Sequence, residues 1–144
     1  MKPGLLFSEE CLAQVREVCR SEPRVAALYA FVPNERQEYH LAALFGKAPA
    51  WSTRLDLELA LAQALGLEGV ELIDLKRMPL VFRFNVVDQG NPLYVGRPDL
   101  LAVFIEQTIA RYAAFYPLLE ALYWTVETGP LAEDQLAEDP AATP

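Results

Sequence analysis

Histidine occurs once in this 144-residue chain, cysteine twice, and basic residues are outnumbered twenty to twelve by acidic ones. Each shortage removes a class of function. One histidine, with two cysteines and no cluster of ligand-type residues around them, argues against a conventional zinc site. Cys11 and Cys19 stand eight apart in a predicted helix, about 12 Å along its axis at 1.5 Å per residue, too far for a disulfide; they read as reduced core thiols. The net charge of -8 repels phosphate backbones and anionic lipid, so direct nucleic-acid binding is not expected. No apolar run reaches the roughly 18 residues of a membrane span. The segment MKPGLLFSEE has only a three-residue apolar run before two glutamates, unlike a secretory leader. A cytoplasmic protein with no membrane association is the expectation.

What is present is ordinary globular material. Hydrophobic residues make up 53% and charged residues 22%, enough for a core without cross-links. The expected organisation is one domain over residues 1–129, followed by an acidic tail rich in proline and alanine over 130–144, with the composition of a disordered segment.

Ser8 before Glu9 and Glu10 predicts a helix over 8–21, with Leu12, Val15, Val18 and Cys19 at helical spacing. Pro23 ends it. RVAALYAF (24–31) reads as a strand buried on both faces, and EYHLAALF (38–45) as a second, joined to it by the short polar connector VPNERQ in an antiparallel hairpin. Ser52 or Thr53 is expected to cap a helix that stops at Gly66. Val70–Leu75 reads as a strand that is a parallel or mixed neighbour of the hairpin. A short helix follows Pro79 and ends at Gly90, and residues 91–95 form a brief extended piece. The longest helix is predicted over 98–127, kinked or broken at Pro117. The fold class is therefore α/β in the α+β sense: a small mixed sheet of three to four strands, helices packed on it, and a long C-terminal helix.

The order of these elements, with VELIDL (70–75), KRMPLVFRFNV (76–86) and GNPLY (90–94), resembles the minimal nucleotidyltransferase (MNT) domains of the DNA polymerase β superfamily across residues 8–120. The resemblance implies a polymerase β-like fold. It also implies a Gly-Ser turn after the first strand, whose N–H groups meet phosphate, and two aspartates one residue apart on the second. Residues i and i+2 of a strand share a face, and with a third carboxylate from the next strand they would hold magnesium on a triphosphate.

Here the motif departs from that pattern. Val32-Pro33 stands in place of Gly-Ser, and Pro33 has no N–H to give a phosphate. Glu38-Tyr39-His40-Leu41 stands in place of Asp-x-Asp-Leu, and Glu71 takes the third position. Magnesium disfavours imidazole, so Glu38, His40 and Glu71 are degenerate positions; Glu38 and Glu71, with His40 beside them, are the candidate ligands for a softer ion. Set against this are plain readings: a hydrogen-bonded strand histidine, and two solvated acids. Lys76, Arg77, Arg83 and Arg97 are either a basic patch or a solvated face. Phe104, Tyr112, Phe115, Tyr116, Tyr123 and Trp124 are either core or an interface with another chain.

MNT domains are typically paired with helical HEPN-domain proteins in prokaryotic toxin–antitoxin modules, where the antitoxin can adenylylate the toxin. The resemblance therefore implies a HEPN-type partner, bound here by a scaffold with an eroded catalytic motif and no cofactor. The alternatives are an active transferase moving AMP from ATP to a protein with Mg²⁺ or another metal, and a self-associating structural protein such as a homodimer.

Overall fold

A computed structural model describes residues 7–31 and 40–128, with the side chains of residues 119 and 123–128 outside the description. The chain divides into two compact units, Met1–Thr108 and Ile109–Pro144. Glu38, Val32-Pro33 and the expected boundary at 129 all fall outside the described residues.

The first unit begins with helix α1, Glu9–Arg20. Ser8 is its N-cap, and the hydroxyl accepts from the Cys11 N–H at 3.1 Å. Leu12, Val15 and Cys19 are its buried residues, one stripe of the 3.6-residue period. Strand β1, Val25–Phe31, is buried over its first six positions, and β2, His40–Phe45, over its last five. The two pair antiparallel, as the connector between the apolar runs predicted. Strand β3, Glu71–Asp74, lies parallel to β2. The brief extended piece is a strand: β4, Asn91–Val95, pairs antiparallel with β1, giving a four-stranded mixed sheet in the order β3-β2-β1-β4.

Alternation along the strands sends side chains to two faces. Leu28, Ala30, Leu41, Ala43, Phe45 and Leu72 pack with Leu57, Leu61, Ala64 and Leu65 of helix α2, Trp51–Leu65, and with the α1 stripe. On the other face, Ala27, Tyr29, Ala42 and Leu44 meet Val86 of helix α3, Leu80–Gln89, and Leu101 and Phe104 of helix α4, Pro98–Thr128. Helices thus cover both faces. Among the described residues, no helix is long and apolar enough to cross a membrane.

Three details differ from expectation. Helix α2 starts at Trp51, with Ala50 as N-cap and no side-chain cap bond, so neither Ser52 nor Thr53 caps it. Packing of its inner face supplies the stability a cap would have added. Of the kink or break expected at Pro117, the break does not occur: α4 continues as helix through that position. Third, the β3 run is shorter than predicted: Leu75–Arg77 is a 3-10 turn, capped by Asp74, whose carboxylate accepts from the Lys76 N–H at 3.1 Å. Gly66, by contrast, sits after α2 at φ 71°, the left-handed position for which glycine has no steric cost. Gly90 is needed for room instead, since a Cβ there would run into the Val86 carbonyl oxygen and press on the Tyr29 ring.

The outer edge of β3 is closed by side chains. Arg54 Nη2 donates to the Leu72 carbonyl at 2.6 Å, and the Leu72 N–H donates to Glu58 Oε2 at 2.9 Å. Residues 54 and 58 are neighbours on α2, so one helix offers the donor and acceptor that another strand would. In Glu58→Ala the buried Leu72 N–H loses its acceptor, and a loss of about 1–3 kcal/mol in urea unfolding is expected; an unchanged midpoint would show the clamp to be ornamental.

Burial pushes the Cys19 thiol up from 9.0 to about 12, whereas Cys11 is half-buried. Disulfide-exchange reagent at pH 8 is expected to modify Cys11 in the native protein and Cys19 only in urea. Because the folded value lies above the unfolded one, the stability this thiol contributes is complete below pH 9 and is lost as pH rises toward 12. A urea midpoint that stays flat across that range in wild type relative to Cys19→Ala would contradict this.

Candidate functional site

The candidate site lies where β1 ends and β2 and β3 begin. In register, His40 is opposite Phe31 on one side and Glu71 on the other, and strand alternation puts all three on the α3 face of the sheet. Of the three degenerate positions, the fold therefore brings His40 and Glu71 together, with His40 Nδ1 3.5 Å from Glu71 Oε1. Glu38 is outside the described residues.

The surroundings are more aromatic than ionic. The Phe31 ring centroid is 5.8 Å from the imidazole, and Phe82 of α3 meets Phe31 edge-on at 5.3 Å. His40 Nδ1 is buried without a hydrogen-bond partner, although the carboxylate of Glu71 is mostly exposed. The contact becomes an ion pair only when the imidazole is protonated. As a donor set, one imidazole nitrogen and one solvated carboxylate oxygen are poorly matched to magnesium, which takes a near-octahedral shell of hard oxygens. Among the described residues, no group of three or more His, Cys, Asp or Glu could hold a metal ion.

The four candidate basic residues have separate surroundings. Lys76 and Arg77 are exposed on the 3-10 turn. Arg83 is half-buried on α3, its Nε buried without a hydrogen-bond partner. Arg97 binds Asp99 at 2.8 Å, and this hydrogen-bonded guanidinium holds the Asp99 carboxyl below the usual range. Arg97 also borders, with Arg24 and Lys47, an open depression of about 320 Å³ floored by Ala26, Gly46 and Leu100.

Of the aromatic candidates, Phe104 is buried in the core against the sheet. That placement follows from its position three residues after Leu101 on the same helical stripe, and it removes Phe104 from any exposed surface. In the second unit, Tyr112 and Phe115 are half-buried, and Tyr116 is exposed, as are Leu118 and Leu122. The Glu120 carboxylate pushes the Tyr116 phenol up. The side chains of Tyr123 and Trp124 are outside the described residues. Sequence reading missed the outward row of Trp51, Leu55 and Leu59 on α2, which are exposed; their i, i+4, i+8 spacing was the available signal.

No protein-family model matches the sequence, and no curated protein matches it at significance. The fold is similar to solved structures. A chain of the toxin–antitoxin MntA–HepT complex superposes with a TM-score of 0.62 at 24% identity, covering 81% of this chain and 96% of that one. A variant of that complex with two aspartates replaced by glutamate gives 0.61 at 26% identity, covering 78% and 94%. A chain of the Shewanella oneidensis complex between an MNT antitoxin and a tri-AMPylated HEPN toxin gives 0.61 at 24%, covering 78% and 92%. The four-stranded mixed sheet with its long C-terminal helix is thus an MNT-like fold, matched over nearly the whole length of those chains.

His40→Asp would place a second carboxylate directly across from Glu71. The variant is expected to lose about 0.5–1 kcal/mol through cross-strand repulsion and to recover it in millimolar Mg²⁺ or Mn²⁺. The wild-type melting temperature should not respond to either ion; an equal rise in both proteins would mean that the native pair already binds divalent cations.

Proposed function

We propose that this protein works by binding, as an antitoxin-like partner of a HEPN-type helical protein, on an MNT scaffold whose catalytic motif has eroded. The observation that carries the reading is the His40–Glu71 pair: the strand position that faces the third carboxylate of an MNT site is here an imidazole, 3.5 Å from Glu71. A metal cage for a triphosphate needs converging carboxylates, and Val32-Pro33 in place of Gly-Ser takes away a phosphate-binding turn as well. With the chemistry eroded, the likeness to chains solved in complex with HEPN toxins supports the role that remains, contact with a partner. Neutralisation is then steric, and neither ATP nor Mg²⁺ is required.

The second unit supplies a surface suited to this. Ile109 and Tyr116 on one side of the helix, and Leu118 and Leu122 on the opposite side, are 46–66% exposed, more apolar exposure than an ordinary solvated helix carries. Co-expression with a HEPN-type protein encoded beside this gene is expected to give a stable complex, weakened at least about tenfold by Leu118→Glu with Leu122→Glu. Titration calorimetry with ATP and Mg²⁺ or Mn²⁺ should give no binding heat. Tight metal-dependent ATP binding, abolished by Glu38→Ala with Glu71→Ala, would replace this reading with an active AMP transferase. A stable homodimer that ignores the HEPN-type protein would replace it with a self-associating structural protein.

A further inference from the structure

The two edges of the sheet are finished differently. At β3 the Leu72 peptide groups are taken up by Arg54 and Glu58, whereas β4, the other edge strand, carries no such clamp among the described residues. Along it runs an open groove of about 570 Å³, lined by Arg16 and Arg20 of α1 and by the five consecutive residues 92–96. Successive residues of a strand point to opposite faces, so a groove that touches all five lies on the outer edge of β4.

The register shows which peptide groups that edge offers. Val95 stands opposite Ala27, and the N–H of the next residue, Gly96, donates to the Ala26 carbonyl at 2.8 Å. In an antiparallel ladder this makes Val95 and Ala27 a non-hydrogen-bonded pair, so the N–H and C=O of Val95 point away from β1. Neither has a protein partner among the described residues. Pro92 has no N–H to offer, which limits the usable edge to the half of β4 around Val95.

Both charged residues of the groove are cations. Arg20 bonds Glu17 at 2.8 Å, but Arg16 is half-buried and has no hydrogen-bond or ion-pair partner among the described residues. The depression bordered by Arg24, Lys47 and Arg97 begins one residue beyond Gly96 and continues the same sign. There Arg24 and Arg97 bond Glu22 and Asp99, and Lys47 is uncommitted among the described residues. No acidic side chain lines either hollow.

We propose that the outer edge of β4 receives an extended acidic segment of a partner protein, added to the sheet as a fifth strand with a carboxylate on Arg16. An unpaired N–H and C=O on one residue are matched together by the backbone of another extended chain, and the uncommitted guanidinium selects an acidic one. This goes beyond the binding role proposed above and does not depend on it. A second copy of this chain fits the edge poorly. Two β4 strands paired about a twofold axis normal to the sheet would set Arg16 and Arg20 of one copy across the joint from the same residues of the other.

The test uses the full-length chain and a fluorescein-labelled peptide of alternating threonine and glutamate, of strand length. A saturable rise in anisotropy is expected. Affinity should be at least about tenfold lower in Arg16→Glu, for the same peptide N-methylated throughout, and for a threonine–lysine peptide. In nuclear magnetic resonance the Val95 amide should exchange fast in the unliganded protein and become protected at saturating peptide. Circular dichroism and a urea midpoint verify that Arg16→Glu folds, and Arg16→Gln serves if it does not. Absence of binding at millimolar peptide, equal binding of the N-methylated peptide, undiminished binding by the folded variant, or an unprotected Val95 amide at saturation would each overturn the site. So would a short oligonucleotide that binds more tightly than the peptide, or Val95 protection that rises with protein concentration alone and tracks a dimer in sedimentation.

Discussion

The peptide groups of β1 have no access to water. Six consecutive residues, from Val25 to Ala30, are at most 4% exposed, so each backbone N–H and C=O must find a partner inside the protein. That requirement determines much of the rest. Strand β2 satisfies one side of β1 and β4 the other, which is why the short segment 91–95 is recruited into the sheet from so far along the chain. Both side-chain faces of β1 then have to be covered, and alanines at 26, 27 and 30 let helices come close on each side. The tight return at Gly90 and the burial of Tyr29 belong to the same constraint.

At the other edge the sheet stops at β3 because α2 closes it. A helix that covers one face also sends Arg54 and Glu58 around the edge, where they bond the Leu72 peptide as another strand would. The same helix therefore holds three environments at once: leucines inward, a polar clamp at the edge, and an apolar row outward. Such use of one element protects β3 from strand addition and leaves Trp51, Leu55 and Leu59 exposed.

The His40–Glu71 contact lies at one end of the sheet in an MNT-like fold. Register alone brings the two residues together across a parallel pair. Whether that meeting point binds a cation depends on the atoms presented, and an imidazole nitrogen packed beside Phe31 and the Phe31–Phe82 pair offers little to a hard ion.

Much of this was legible in the sequence. The cap at Ser8, the doubly buried β1, the antiparallel hairpin, the parallel β3 and the left-handed Gly66 all follow from local preferences and from apolar patterning, which depend on near neighbours in the chain. The adjacency of His40 and Glu71 was readable too, because strand alternation and a hairpin fix which side chains share a face. Other features depended on tertiary structure. In LDLELAL, leucines alternate at 55, 57, 59 and 61, so the letters do not say which lie inward; only packing against α1 and β3 puts Leu57 and Leu61 in the core and leaves Leu55 and Leu59 outside. Phe104 and Tyr116 read alike as aromatic stripe residues, yet one is buried and the other exposed. The start of α2 without a side-chain cap was decided in the same way, by packing energies summed over distant contacts that outweigh the local signal.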